Sequence, residues 1–383
     1  MRARPLFVLT FVLWSASAIF IVACGDDDNT VLPPKDSGAD SIIAPFDSAA
    51  PETGPDAADA APATATTLVG FNPGADGGPE LPEAISFRDN AAYISLVARG
   101  EIVKIAYPSN TRTTYATLPV TPTNFTLGNA FDTAGNLYVA VAVGGDPTDA
   151  PSLAAAGIYK IPAGDGGTGT LWASAPAKLK FPNGLSFAPD GSLYVTDAAD
   201  GAIYKFAPTG AVGTATPWKE DALLQGNTGD AGTCPGSVQA FPIGANGIHA
   251  EADAVWVVNT DKGTLVKVAV DGAGNAGAVT EAASDCAKLK GADGMRVDPR
   301  APATTFIATN NALNAIVAIG RSGGVTTVLE GKPPFYSPAD LAHVTGTSKP
   351  TDFLVVNASF AEAFAPPDAG QIPKPSLVKL SLP

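Results

Sequence analysis

Six variants of one short segment recur along the chain, and this recurrence limits the possible folds more than any other feature. They are "EIVKI" at 101–105, "GIYKI" at 157–161, "AIYKF" at 202–206, "TLVKV" at 264–268, "AIVAI" at 315–319 and "SLVKL" at 376–380. Five carry lysine at the fourth place, Lys104, Lys160, Lys205, Lys267 and Lys379, and Ala318 is the exception. Each follows another β-rich run ("AYISL", "NLYVAVAV", "SLYVTDA", "AVWVVNT", "TFIATNN", "DFLVVNA"), and before that comes a run of the "NGLSF" type. A threonine-rich fourth run, such as "RTTYATL" or "GVTTVLEG", follows most units. Four short strands repeated about every 55 residues predict an all-β fold, a six-bladed β-propeller over residues 65–383. A barrel or sandwich would leave six fourfold units unexplained. The sixth unit stops at its third strand, and "ATTLVGF" at 65–71 is the natural donor of the fourth. That pairing would close the ring and remove exposed edges. No stretch in this region has a convincing helical period.

The N-terminus reads differently. Arg2 and Arg4 precede an apolar run from Leu6 to Val22 that ends in Ile21-Val22-Ala23-Cys24. A basic start, an apolar middle and a small residue before a cleavage point predict an export signal over residues 1–23. The ending resembles the bacterial lipobox, which would make Cys24 the acylated first residue of the mature chain. An uncleaved membrane anchor is the alternative. Gly25 stands where an inner-membrane retention aspartate would be, which favours the outer membrane of a bacterial envelope. Residues 24–64 are rich in Ala, Pro and Asp and nearly free of aromatics, the composition of a disordered tether. They hold about half of the formal net charge of −14. A chain this acidic is a poor match for nucleic acid. Cys234 and Cys286 remain as an even pair in an oxidising compartment, so a disulfide is expected, with two free buried thiols as the alternative. Their spacing fits no zinc pattern.

Two motifs look chemical without the context that chemistry needs. Residues 164–169 match GxGxxG, but a strand-like "TLWAS" follows where a phosphate-binding loop would open a helix. Residues 320–324 match GxSxG, but lead into "VTTVLEG" rather than the helix of a nucleophile elbow. Both read as turns. His249 and His343 are the only histidines, each in an inner-strand segment with no nucleophile pattern nearby, and both read as structural.

The inner-strand starts carry the chemistry. Aligned on their shared pattern, the six units present Glu83, Leu127, Asn183, Asn246, Asp293 and Ala339 at one position. Inner strands line a propeller's central channel, so Glu83, Asn183, Asn246 and Asp293 should converge near one mouth. Two carboxylates and two carboxamides form a hard-oxygen set suited to Ca²⁺ or a similar divalent cation, with waters completing the shell. The plain alternative is channel-facing polar groups bonded to trapped water.

"GADGMRVD" and "FPNGLSFAPDGSLYVTD", with Glu83 in the first unit and Asn-Gly in the third and fourth, are similar to the regucalcin–gluconolactonase (senescence marker protein) family of six-bladed propellers. The paraoxonases and strictosidine synthase-like proteins share that architecture. The resemblance covers residues from about 65 to 383. It implies that Glu83, Asn246 and Asp293 hold one divalent cation, with Asn183 as a fourth ligand or substrate contact. It also implies that the metal polarises a lactone or ester carbonyl, and that Asp293, or a water it orients, is the general base. Two departures matter. Phe181, with Lys180 before it, stands where the family's sugar-contacting arginine would be, and Leu127 stands where paraoxonases place a histidine. These three are the expected substrate rim, and they favour a hydrophobic ester or lactone over a sugar acid. Cys234 and Cys286 precede Asn246 and Asp293 in loops expected on the same face, where a bridge would pin the rim.

Two functions follow. One is a calcium-dependent lactone or ester hydrolase, monomeric and tied to the envelope by its lipid alone. The other is a non-enzymatic propeller of the NHL sort that binds a protein or glycan partner, its metal purely structural.

Overall fold

The computed structural model describes residues 61–383 except 147, 165, 230–233, 240, 347–348, 364–369 and 371. The expected export signal, Cys24 and nearly all of the expected tether lie outside the described residues. Strand β1 (Thr64–Gly70) precedes the first blade, which contains β2 (Pro82–Arg88), β3 (Ala91–Leu96), β4 (Glu101–Ala106) and β5 (Arg112–Thr117). The second blade contains β6 (Asn124–Phe131), β7 (Leu137–Val143), β8 (Gly157–Ile161) and, after the two-residue β9 (Gly167–Thr168), β10 (Thr170–Ala173). Blade three is β11 (Pro182–Phe187), β12 (Leu193–Asp197), β13 (Ala202–Phe206) and β14 (Pro217–Glu220). Blade four is β15 (Ala245–Ala250), β16 (Ala254–Asn259), β17 (Thr264–Val270) and β18 (Ala276–Ser284). Blade five is β19 (Ala292–Val297), β20 (Thr305–Asn310), β21 (Ala315–Gly320) and β22 (Val325–Glu330). The sixth blade has β23 (Pro338–His343), β24 (Asp352–Asn357) and β25 (Ser376–Ser381), and β1 supplies its outer strand. The β1–β25 pairing is antiparallel, from Thr64 opposite Ser381 to Gly70 opposite Ser376. The expected six-bladed ring and its closure are therefore present.

Burial explains why the second strand of each unit was so apolar. All residues of β3, β7, β12, β16, β20 and β24 are buried except Thr305 at the start of β20, because neighbouring blades cover both faces. The recurrent lysine has a cross-strand reason. Lys104, Lys160, Lys205 and Lys267 lie opposite Tyr93, Tyr138, Tyr194 and Trp256. Each ammonium sits over its partner ring at 5.2–5.5 Å, a cation–π contact that also shields the aromatic edge. In blade five the facing residue is Ile307, so Ala318 needs no charge. Lys379 faces Leu354 and pairs instead with Asp352 at 2.7 Å.

Helix is slightly richer than the sequence suggested. Two turns, α1 (Ala150–Ala155) and α2 (Phe360–Ala363), sit in the loops between the second and third strands of blades two and six. At six and four residues they are too short to leave a period. The GxGxxG segment forms turns, with Gly164, Gly166 and Gly167 all at positive φ, and β9 adds in parallel to the edge of β5. The GxSxG segment is the β21–β22 hairpin turn, closed by the Gly320 N–H donating to the Gly324 carbonyl. Among the described residues no helix is long and apolar enough to cross a membrane.

Candidate functional site

Every inner strand is irregular at its start. The register slips by one residue between Pro82 and Ala84, Thr126 and Asn129, Pro182 and Leu185, Ala245 and Ile248, Ala292 and Met295, and Pro338 and Asp340. A bulge re-aims the side chain it carries. Here six bulges turn Glu83, Asn183, Asn246 and Asp293, with their neighbours, into one central cavity of about 20 Å³. That volume holds a cation or a water or two, and no organic substrate.

The glycines that follow are there for packing. A Cβ on Gly128, Gly184 or Gly247 would run into the carbonyl oxygen of Asn183, Asn246 or Asp293, the ring residue of the next blade. Each glycine thus lets the neighbouring strand close in around the axis. Threonine hydroxyls fasten the same ring: Thr196 donates to the Asn246 carbonyl and Thr309 to the Ala339 carbonyl, each at 2.7 Å.

The two blades without a ring oxygen supply one from further along. Asn129 and Asp340 both line the cavity. The Asn129 amide nitrogen donates to Ser95 Oγ at 2.9 Å and to the Tyr93 carbonyl at 3.2 Å. Its Oδ1 is buried without a protein partner, as is Asp340 Oδ1. Arg296, the one cationic side chain among the described residues of the cavity wall, donates to Asp340 Oδ2 at 3.0 Å. Every blade therefore brings an oxygen-bearing side chain to the cavity.

Burial dominates the electrostatics. It pushes the Glu83 carboxyl well above its ordinary range, and the charges of Asp293 and Asp340 add to the effect. Asp293 rises from 3.8 to about 8, chiefly by burial and then by Asp340, against hydrogen bonds from Asn311 and Asn246. Asp340 is raised by burial, which Arg296 and the Ile85 N–H partly offset. Three carboxylates facing one guanidinium leave a deficit of positive charge. That deficit, the unpaired Asn129 and Asp340 oxygens and the all-oxygen donor set fit a hard cation. Among the described residues no trio of His, Cys, Asp or Glu side chains stands in a metal-binding arrangement, so a cation here would draw on carboxamides as well.

A second cavity of about 240 Å³ is lined by Val238, Gln239, Asn311, Ala312, Ser337, Phe360 and Ala361. Asn311 of this lining contacts the wall of the first cavity, its Nδ2 donating to Asp293 Oδ2 at 3.0 Å. The loop bearing Val238 is organised by buried Asp261, which accepts from the N–H groups of Asn227, Val238 and Ile243 at 2.7–3.1 Å. Cys234 in this loop is bridged to Cys286 in the next blade's entry loop, with Cα atoms 5.3 Å apart, which agrees with the expected disulfide.

The expected substrate rim lies apart from both of these cavities. Leu127, Lys180 and Phe181 line neither cavity. The bulge turns Gly128 and Asn129 toward the axis and leaves Leu127 in the apolar cluster with Leu179 and Leu185. Phe181 stacks edge-on between Phe125 and Phe241 at 6.5 and 5.5 Å. Lys180 is held by its backbone, its N–H donating to Asp197 Oδ2 at 2.9 Å. Both histidines stay outside the cavities: His249 lies 3.5 Å from Glu251 and His343 contacts the Pro350 carbonyl.

No family model matches the chain, and neither does any curated protein sequence. Solved structures share its fold. A regucalcin described as a calcium-binding protein from Agrobacterium tumefaciens is 16% identical, with 82% of this chain and 96% of that one covered at a TM-score of 0.54. A gluconolactonase from Xanthomonas campestris is 15% identical, with 84% and 90% covered at 0.54. An auxiliary nutrient binding protein from Bacteroides thetaiotaomicron is 11% identical, with 83% and 76% covered at 0.54. At these identities the likeness is one of fold.

Proposed function

We propose that the chain is a cation-dependent hydrolase of neutral lactones or esters, monomeric and anchored to the bacterial envelope through a lipid on Cys24. The observation that carries this reading is a charge-deficient oxygen cavity too small for substrate, whose Asp293 is hydrogen-bonded to Asn311 of a larger chamber with an uncharged lining. Glu83, Asn246 and Asp293, with Asn183, would hold the ion, and calcium suits their oxygens. When bound, the ion would supply Lewis-acid polarisation of a carbonyl and stabilise its developing oxyanion.

The chain's own residues do the rest. Gln239, Asn311 and Ser337 offer hydrogen bonds to an ester or lactone, while Val238, Ala312 and Phe360 take its apolar part. No charged side chain lines that chamber among the described residues, which suits a neutral substrate better than a sugar acid. Asn311 fixes Asp293, and that carboxylate, or a water it orients, is the candidate general base.

A second reading, a binding propeller with a structural ion, is favoured by one observation. The chamber has no titratable wall residue among the described residues, and the acid that its wall residue Asn311 holds by a side-chain hydrogen bond, Asp293, is itself a proposed ligand. Turnover of neutral aryl esters and lactones by the full chain separates the two. The hydrolase reading expects activity that a chelator abolishes and calcium restores. Bound calcium with no turnover across the panel would leave the binding reading.

A further inference from the structure

We propose that the part-buried Arg296–Asp340 ion pair sets the charge of the cation that the central cavity accepts, tuning it to a divalent ion. The proposal rests on the reading of that cavity as a cation site. Arg296 spans three blades: Nη1 donates to its neighbour's Met295 carbonyl at 2.7 Å, and Nη2 to the Ile85 carbonyl at 3.2 Å and to Asp340 Oδ2 at 3.0 Å. The guanidinium is thus strapped to the cavity wall between blades five, one and six. Asp340 is 8% exposed, and the Ile85 N–H fixes the same Oδ2 at 3.1 Å. Its Oδ1 has no partner and lies over Gly294, the residue after Asp293.

Gly294 differs from the other ring glycines in what it admits. Gly128, Gly184 and Gly247 each make room for a backbone carbonyl, whereas a Cβ on Gly294 would stand 2.1 Å from Asp340 Oδ1. The fold has opened this position for a carboxylate. With a cation bound and the three carboxyls ionised, Glu83, Asp293 and Asp340 bring three negative charges to the cavity and Arg296 brings one positive charge, so the balance is that of a divalent cation. The Asp340 carboxylate is well shielded and the half-buried guanidinium is fixed within hydrogen-bond reach of it, so the pair's charges act on the cavity with less screening than at the surface, which makes it a determinant of selectivity.

Calorimetric titration of the full chain with Ca²⁺ and with La³⁺ tests the proposal in four forms: wild type, Arg296→Gln, Asp340→Asn and the double variant. Arg296→Gln exposes the third negative charge and should raise the La³⁺-to-Ca²⁺ affinity ratio by roughly tenfold or more, as one extra unit charge a few ångströms away requires. Asp340→Asn leaves the guanidinium unbalanced and should weaken Ca²⁺ roughly 10–100-fold, the range for residues that support metal ligands. The double variant restores the wild-type charge and should return the ratio to within about threefold of wild type, given the limits of additivity between contacting residues. An unchanged ratio in Arg296→Gln overturns the proposal, as does equal loss of binding in all three variants, which would mark the pair as packing. Absence of calcium binding by the wild type would remove the cation site itself, whereas binding that ignores these substitutions removes only the role of the pair.

Discussion

Replacing Asp293 by Asn should stabilise the chain when no cation is present. The folded state holds the Asp293 carboxyl at about 8 against an ordinary value of 3.8, so near pH 7 it is protonated in the fold and ionised in the unfolded chain. At about 1.36 kcal/mol per pH unit, the interval from 3.8 to 7 opposes folding by on the order of 4 kcal/mol. Asparagine has nearly the same shape, needs no proton, and can still accept from Asn311 Nδ2, which now lies 3.0 Å from Asp293 Oδ2. With an unfolding entropy of about 2.1 cal/mol/K per residue over roughly 320 residues, the gain is about 6 °C in Tm. The sign follows from the raised value. The fold binds the proton more tightly than the unfolded chain, so this contribution to wild-type stability declines as pH rises from about 4 through about 8, then levels off. Scanning calorimetry in EDTA from pH 5 to 9 should show a shallower pH dependence in Asp293→Asn. Millimolar calcium should raise the wild-type Tm and leave the variant nearly unmoved. A variant that melts several degrees below wild type in EDTA at pH 7, with the same pH slope, would refute the reasoning.

Three further outcomes are expected. Replacing Cys234 and Cys286 together by Ser reopens a link across 52 positions, a loss of about 4 kcal/mol by loop-closure entropy, read from urea unfolding with and without reductant. A difference under about 1 kcal/mol would show that the reduced chain already keeps that loop closed. Gly247→Ala places a Cβ against the Asp293 carbonyl and should cost about 1–3 kcal/mol while weakening calcium binding, whereas Gly272→Ala, with open space around it, should change neither. Deleting residues 64–70 strips β1 from β25 and should produce an aggregating species by light scattering, since it exposes a long sheet edge.

The ring was legible because each blade repeats the same physical demand: a second strand covered on both faces must be apolar throughout, and a lysine opposite an aromatic recurs with it. Its closure was legible too, since the sixth unit lacked a strand and residues 65–71 matched one. Glu83, Asn183, Asn246 and Asp293 could be aligned because they share a register. Asn129 and Asp340 could not, because the bulges carry residues one or two places further on to the same cavity. Arg296 in "DGMRVD" did leave a trace, a charged residue inside a buried strand, which called for a partner across the channel. The larger chamber left none, as Val238, Asn311, Ser337 and Phe360 come from loops far apart in the chain. Leu127 and Phe181 lie outside the lining of both cavities for a related reason. Alignment fixes a position along the strand, while packing decides which way the side chain turns.

The most direct measurement is anomalous diffraction from crystals of the full chain grown with millimolar calcium. The account predicts one calcium peak per chain inside the central cavity, with Glu83, Asn183, Asn246 and Asp293 oxygens around it. A cavity that holds only water under those conditions would contradict it.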